Sequence, residues 1–171
     1  RRQLTVLFCD LEDSTGLYQR LDPEDLREVM HAYHDTAAEV IARNEGHVAQ
    51  YLGDGVLAWF GFPRARENAA EQAVQAALEL QEALAAPSRD LEARLGVAIR
   101  MRAGLHTGEV IVAPVRPPGP RRGERAEAQA LGTTVIVAAR LQELCGPGEV
   151  LASGATLRLV RGAFETQPLG T

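Results

Sequence analysis

His47-Val48-Ala49-Gln50-Tyr51-Leu52 and Val56-Leu57-Ala58-Trp59-Phe60 are two β-rich runs joined by Gly53-Asp54-Gly55. An Asp-Gly pair between such runs is a strong hairpin signal. A helical pattern lies on either side of it. Upstream, Asp22-Pro23-Glu24 opens a helix, because proline suits the first helical position and acids suit the first turn. Leu26, Val29, Met30, Tyr33, Ala37, Val40 and Ile41 follow at three-and-four spacing, with Gly46 as the expected C-terminal cap. Downstream, residues 67–86 are alanine-rich and periodic and predict one long helix. Outside the helices, Leu4-Thr5-Val6-Leu7-Phe8-Cys9 is a continuous apolar run, expected to be a strand buried on both faces. Residues 98–105 and 109–113 predict two more strands around His106-Thr107-Gly108. The order β-α-β-β-α-β predicts an α+β fold of ferredoxin-like type, with helices over one face of an antiparallel sheet.

The rest of the chain extends this core. Residues 133–145 predict a helix, Gly146-Pro147-Gly148 breaks it, residues 150–152 predict a short strand, and Ser153 caps a last helix to about residue 161. Residues 114–128 are rich in proline, glycine and charge, and predict an exposed arm or flexible loop. The 171 residues suit one domain, expected to be a piece of a longer chain because it starts at Arg1. The net charge of −5 argues against a nucleic-acid partner, although a bound cation would still let an acidic chain hold a nucleotide. No stretch approaches the roughly 18 apolar residues of a membrane span. Cys9 and Cys145 lie far apart in apolar contexts, which predicts buried thiols in the reducing cytoplasm rather than a zinc or redox pair.

Asp10 ends the first strand and Asp54 sits at the hairpin tip. If that strand lies beside the hairpin, both carboxylates project from one edge. Two carboxylates with a backbone carbonyl form a hard oxygen site for Mg²⁺ or Mn²⁺. Two such ions can clamp a triphosphate and activate a hydroxyl. The polar turn from Glu12 to Thr15 leads into a helix whose N–H groups suit phosphate oxygens. Spacing alone favours the plainer account of a strand-ending Asp10 and an ordinary turn Asp54.

Longer motifs separate the two. Leu7-Phe8-Cys9-Asp10-Leu11-Glu12-Asp13-Ser14-Thr15, Leu21-Asp22-Pro23-Glu24, Tyr51-Leu52-Gly53-Asp54-Gly55 through Gly61, Gly104-Leu105-His106-Thr107-Gly108-Glu109-Val110, Leu131-Gly132-Thr133-Thr134-Val135 and Ala138-Ala139-Arg140-Leu141-Gln142 stand in order along the chain. Together they resemble the class III adenylate and guanylate cyclases, most of all the bacterial branch with downstream ATPase and helical-repeat regions. The resemblance implies two domains paired head to tail with active sites at their interface. It implies metal ligation by Asp10, the Leu11 carbonyl and Asp54, with two Mg²⁺ or Mn²⁺ ions per site. Arg140 matches the arginine that stabilises charge on the phosphates, Ser14 and Thr15 fall in the phosphate-binding turn, and residues 114–128 match a dimerisation arm. The implied reaction turns ATP, with GTP as the second candidate, into a 3′,5′-cyclic nucleotide and pyrophosphate in a homodimer.

Three positions depart from the family. Gln50 stands where adenylate cyclases have a lysine, Gln129 where they have the purine-selecting Asp or Thr, and Ile136 where an asparagine positions the ribose. An amide both donates and accepts, so Gln50 and Gln129 suit either purine. Isoleucine cannot bond the ribose, which favours the alternative of a catalytically weak or inactive domain regulating a downstream module. His31 and His34, with Asp35, have a possible metal spacing but are expected on a solvated helix face. His106 is expected to be structural, and Arg121, Arg122 and Arg125 to be solvated.

Overall fold

The structure is a computed structural model that describes residues 2–115 and 127–170. Its elements are β1 (Arg2–Leu11), α1 (Ser14–Arg20), α2 (Pro23–Arg43), β2 (His47–Leu52), β3 (Gly55–Phe60), α3 (Ala69–Ala83), α4 (Ala85–Leu95), β4 (Met101–Val115), β5 (Glu127–Leu131), α5 (Thr133–Glu143), β6 (Val150–Ala152) and α6 (Gly154–Leu159). The sheet runs β2-β3-β1-β4-β5, with β6 also paired to β4. Neighbours on the main path are antiparallel, which is the ferredoxin-like core expected from the hairpin between two helices. β6 joins β4 in parallel, from Ala103 opposite Val150 to Leu105 opposite Ala152.

β1 is central, and its alternation divides the core. Leu7, Cys9 and Leu11 face the layer of α2 and α3, where Val29, Tyr33, Ala37, Val40, Ile41, Ala73, Ala77 and Leu80 are buried. Burying each large aliphatic side chain there contributes about 1.5–3 kcal/mol. Leu4 and Val6 face the other way, onto Leu57, Trp59, Val110 and Ala138. Ala138 belongs to α5, so this helix covers the second face rather than lying over the first with the others. Two glycines make that possible. A Cβ on Gly104 would overlap the Ala138 carbonyl and lie 2.5 Å from the Gln142 amide nitrogen, and one on Gly108 would lie 2.6 Å from Thr134 Oγ1. The Thr134 hydroxyl also donates to the Glu109 carbonyl at 2.8 Å.

Several local expectations change. β4 is one strand, not two, paired to β1 from Met101 opposite Leu11 to Val110 opposite Arg2. Gly108 provides clearance for α5 and makes no turn. Thr107 is buried, with its hydroxyl 2.9 Å from both Thr5 Oγ1 and Thr156 Oγ1. The alanine-rich helix stops at Ala83 and α4 restarts at Ala85. Pro87 explains this, since it has no N–H for the Ala83 carbonyl and its ring would strike that group. Asp22 caps α2 as expected, accepting from the Asp25 N–H at 2.9 Å. At the other end the left-handed residue is Glu45, with φ 62°, and not Gly46. Gly46 donates to Ile41 O at 2.9 Å, and it is glycine because a Cβ would meet the Phe60 ring at 2.5 Å. Strand pairing also reaches into the expected arm, with Pro114 opposite Ala128 and Val115 opposite Glu127. The rest of that arm, residues 116–126 with Arg121, Arg122 and Arg125, lies outside the described residues.

Candidate active site

Asp10 is on the α5 side of β1, near its end. Antiparallel register sets Arg102 of β4 directly opposite. The Arg102 guanidinium donates to Asp10 Oδ1 from Nε at 3.3 Å, and its Nη2 lies 3.5 Å from Oδ2. From α5, Gln142 Nε2 donates to Oδ1 at 2.5 Å. Burial pushes the Asp10 carboxyl above its ordinary range, the Arg102 charge opposes that, and the Asp54 charge adds to it. The two aspartates are therefore close enough to interact electrostatically.

Asp54 stands in the two-residue loop between Leu52 and Gly55, which pair with each other. Gly53 takes φ 62°, so the loop needs glycine there. Asp54 Oδ2 is buried and has no hydrogen-bond partner among the described residues. A buried carboxylate oxygen without a donor is costly unless something positive meets it. The side chains that interact here, Asp10 and Asp54, both offer oxygens, and the Leu11 carbonyl is the next backbone oxygen along β1. That set fits a hard divalent cation. Among the described residues no three His, Cys, Asp or Glu side chains gather into a metal cluster, so backbone or ligand oxygens would complete the shell.

The other expected residues fall into separate groups. Ile136 and Arg140 are one helical turn apart on α5 and both are exposed, Ile136 at 54%. Gln142 on the same helix is 2% exposed and turned inward to Asp10. Gln50 is exposed on β2, just past a register shift between Val48 and Gln50. Gln129 stands in β5 opposite Ala113; β2 and β5 are the two ends of the sheet order, yet the two strands come into contact. Ser14 is half-buried and Thr15 exposed at the start of α1. The turn before them is closed by Asp13 in the left-handed region, φ 53°, with no side-chain cap bond. The Asp13 carboxylate lies over Gly16 and pairs with Arg20 at 3.6 Å.

Two residues at Asp10 escaped sequence reasoning. Arg102 shows only once β1 and β4 are aligned antiparallel. Gln142 carries a weaker signal, a polar residue in line with Thr134 and Ala138 on the inward side of the helix. His34 also differs from expectation. It is half-buried, its ring 4.7 Å from that of Tyr51, and burial lowers its pKa from the ordinary value. His106 is structural as expected, with Nδ1 2.6 Å from the hydroxyl of Ser153, the cap of α6.

Comparison with known proteins places this geometry. The family model for the adenylate and guanylate cyclase catalytic domain matches residues 1–171. "Adenylate cyclase 1" of Rhizobium meliloti is 34% identical over 173 residues, covering 100% of this chain and 25% of that protein. The chain thus spans about a quarter of that relative's length. The guanylyl cyclase Cya2 superposes with a TM-score of 0.88 at 28% identity, over 99% of this chain and 87% of that one. The adenylyl cyclase CyaB from P. aeruginosa shares the fold at a TM-score of 0.85 and 24% identity, over 93% of this chain and 80% of its own. On the strength of the match along its whole length, the chain belongs to the adenylate and guanylate cyclase catalytic domain family.

Proposed function

We propose that this chain forms 3′,5′-cyclic AMP and pyrophosphate from ATP, in a head-to-tail homodimer that works in the cytoplasm. The observation that carries this reading is the buried Asp54 Oδ2, which has no donor among the described residues and interacts electrostatically with a second, half-buried carboxylate at Asp10. Asp10, Asp54 and the Leu11 carbonyl would hold Mg²⁺ or Mn²⁺. When bound, these ions supply Lewis acidity to the phosphate oxygens and to the attacking hydroxyl. The chain's own residues do the rest. The turn at Ser14 and Thr15 receives phosphate oxygens. Arg140, exposed on α5, reaches the site formed on a second copy and offsets charge that develops on the phosphates. Gln50 and Gln129, on two strands that come into contact, take the purine. The ribose 3′-hydroxyl gives up its proton to solvent as its oxygen bonds to the α-phosphorus, the bond to the bridging oxygen breaks, and pyrophosphate leaves with that electron pair.

Adaptable amides leave little unpaired with either base, so selectivity for ATP over GTP is expected below about a hundredfold, or roughly 3 kcal/mol. Incubation with ATP and with GTP, each with Mn²⁺ or Mg²⁺, followed by separation of products, tests this. Cyclic AMP in excess supports it, whereas cyclic GTP-derived product alone would reverse the purine assignment. A second reading, a nucleotide-binding regulator with little turnover, is favoured by Ile136, whose exposed side chain offers no hydrogen bond to ribose. Nucleotide binding without product in either metal would select it.

A further inference from the structure

Gln142 is a buried polar side chain, 2% exposed, on a helix whose neighbouring inward residue is Ala138. An apolar residue would pack there at lower cost, because a buried amide must keep its hydrogen bonds. Its Nε2 lies 2.5 Å from Asp10 Oδ1. The backbone that carries it is held at three points. Thr134 donates to the Glu109 carbonyl at 2.8 Å, Gly104 lies directly beneath Ala138 and Gln142, and Cys145 Sγ donates to the Ala103 carbonyl at 3.1 Å. Contacts with Asp10 are uneven. Among the described residues Oδ1 meets both Gln142 and Arg102, while Oδ2 meets Arg102 Nη2 alone, at 3.5 Å.

We propose that Gln142 is a positioning residue that fixes Asp10 through Oδ1, holding the carboxylate in the orientation that meets a divalent cation and leaving Oδ2 as its more available oxygen. The inference rests on the assignment of Asp10 and Asp54 as metal ligands. Gln142 touches neither substrate nor cation, and acts by restricting rotation of the carboxylate. Hydrogen-bond partners of ligating carboxylates commonly change metal affinity by about 10- to 100-fold when removed.

The test is Mn²⁺ binding by the intact protein, read from the electron paramagnetic resonance signal of free Mn²⁺. 3′-Deoxy-ATP is present, so that no turnover occurs. Gln142→Met keeps the volume and removes the donor, and should weaken Mn²⁺ binding by about 10-fold or more. In steady-state assays the KM for Mn²⁺ should rise by a similar factor, with a smaller change in kcat at saturating metal. A residue with only a structural role would instead lower the melting temperature in metal-free buffer and leave Mn²⁺ binding alone. Parent-like Mn²⁺ binding in Gln142→Met, with binding lost in Asp10→Asn, would overturn the proposal and leave the metal site standing. Parent-like binding in Asp10→Asn would remove the metal assignment itself, and the proposal with it. Should Gln142→Met not fold, Gln142→Asn withdraws the amide by one methylene and is judged by the same two outcomes.

Discussion

The Cys9 thiol shows how strongly position governs chemistry in this chain. It is fully buried between β1 and α2, accepts a hydrogen bond from the Tyr33 hydroxyl at 3.3 Å, and has Asp10 as its neighbour. Burial, with the Asp10 charge adding, pushes its pKa from 9.0 to about 12. The thiolate is the reactive form, so Cys9 should be inert in the folded chain. At pH 8, a thiol reagent such as 5,5′-dithiobis(2-nitrobenzoic acid) should leave Cys9 unmodified in native protein and modify it rapidly in denaturant. Rapid native labelling at Cys9 would contradict its burial. The same shift has a sign for stability. The folded value lies above the unfolded one, so the contribution is complete below pH 9 and is lost as pH rises towards about 12. Urea midpoints should fall over that alkaline range, and a Cys9→Ala variant should lose part of the dependence.

At the scale of elements, α5 is the most constrained piece. Gly104 lies beneath it with backbone on the far side, so an added methyl cannot be absorbed by a rotating side chain. Gly104→Ala should lift the helix off β4 and cost about 1–3 kcal/mol, read as a lower urea midpoint. Because α5 also carries Gln142 and Arg140, activity should fall by more than unfolding alone explains. The outward side of the same helix tolerates change. Ile136 is 54% exposed, so Ile136→Asn should alter stability by no more than about 0.5 kcal/mol. If poor ribose positioning limits turnover, restoring the amide should raise the rate roughly ten- to a hundredfold, or about 1.4 to 2.7 kcal/mol of barrier. Product formation and melting temperature measured on one sample decide it. A folded Asn variant with no gain would favour the regulatory reading.

At the scale of the whole molecule, the chain divides its candidate groups between two directions. Asp10 and Asp54 interact with each other, while Arg140 and Ile136 lie on the exposed side of α5, the helix that Gln142 ties to Asp10. A two-fold dimer would set the outward groups of one copy against the carboxylates of the other, giving two equivalent sites. Mixing Asp54→Ala and Arg140→Ala chains should then recover activity, because one site of each mixed dimer is intact. With an active parent and demonstrated subunit exchange, a mixture as dead as its components would rule out shared sites.

How much of this was legible beforehand follows from the range of each interaction. Local and periodic signals sufficed for the α+β class, the hairpin at Gly53-Asp54, the Asp22 cap and the placement of Asp10 at a strand end, because each depends on residues within a few positions of one another. The break before Pro87 is equally local, since a proline acts on the carbonyl four residues before it, but the alanine-rich periodicity over 67–86 masked it and the helix that follows. Tertiary structure alone decided the rest. That β4 runs unbroken through Gly108, that α5 crosses to the second face, and that Arg102 and Gln142 converge on Asp10 all depend on strand register and helix seating between residues that range from 25 to 132 positions apart. Side-chain chemistry named the aspartates as candidates, but only packing brought donors to Asp10 and left Asp54 Oδ2 without one among the described residues. That difference between the two carboxylates is set by what surrounds them in space, and chain order does not encode it directly.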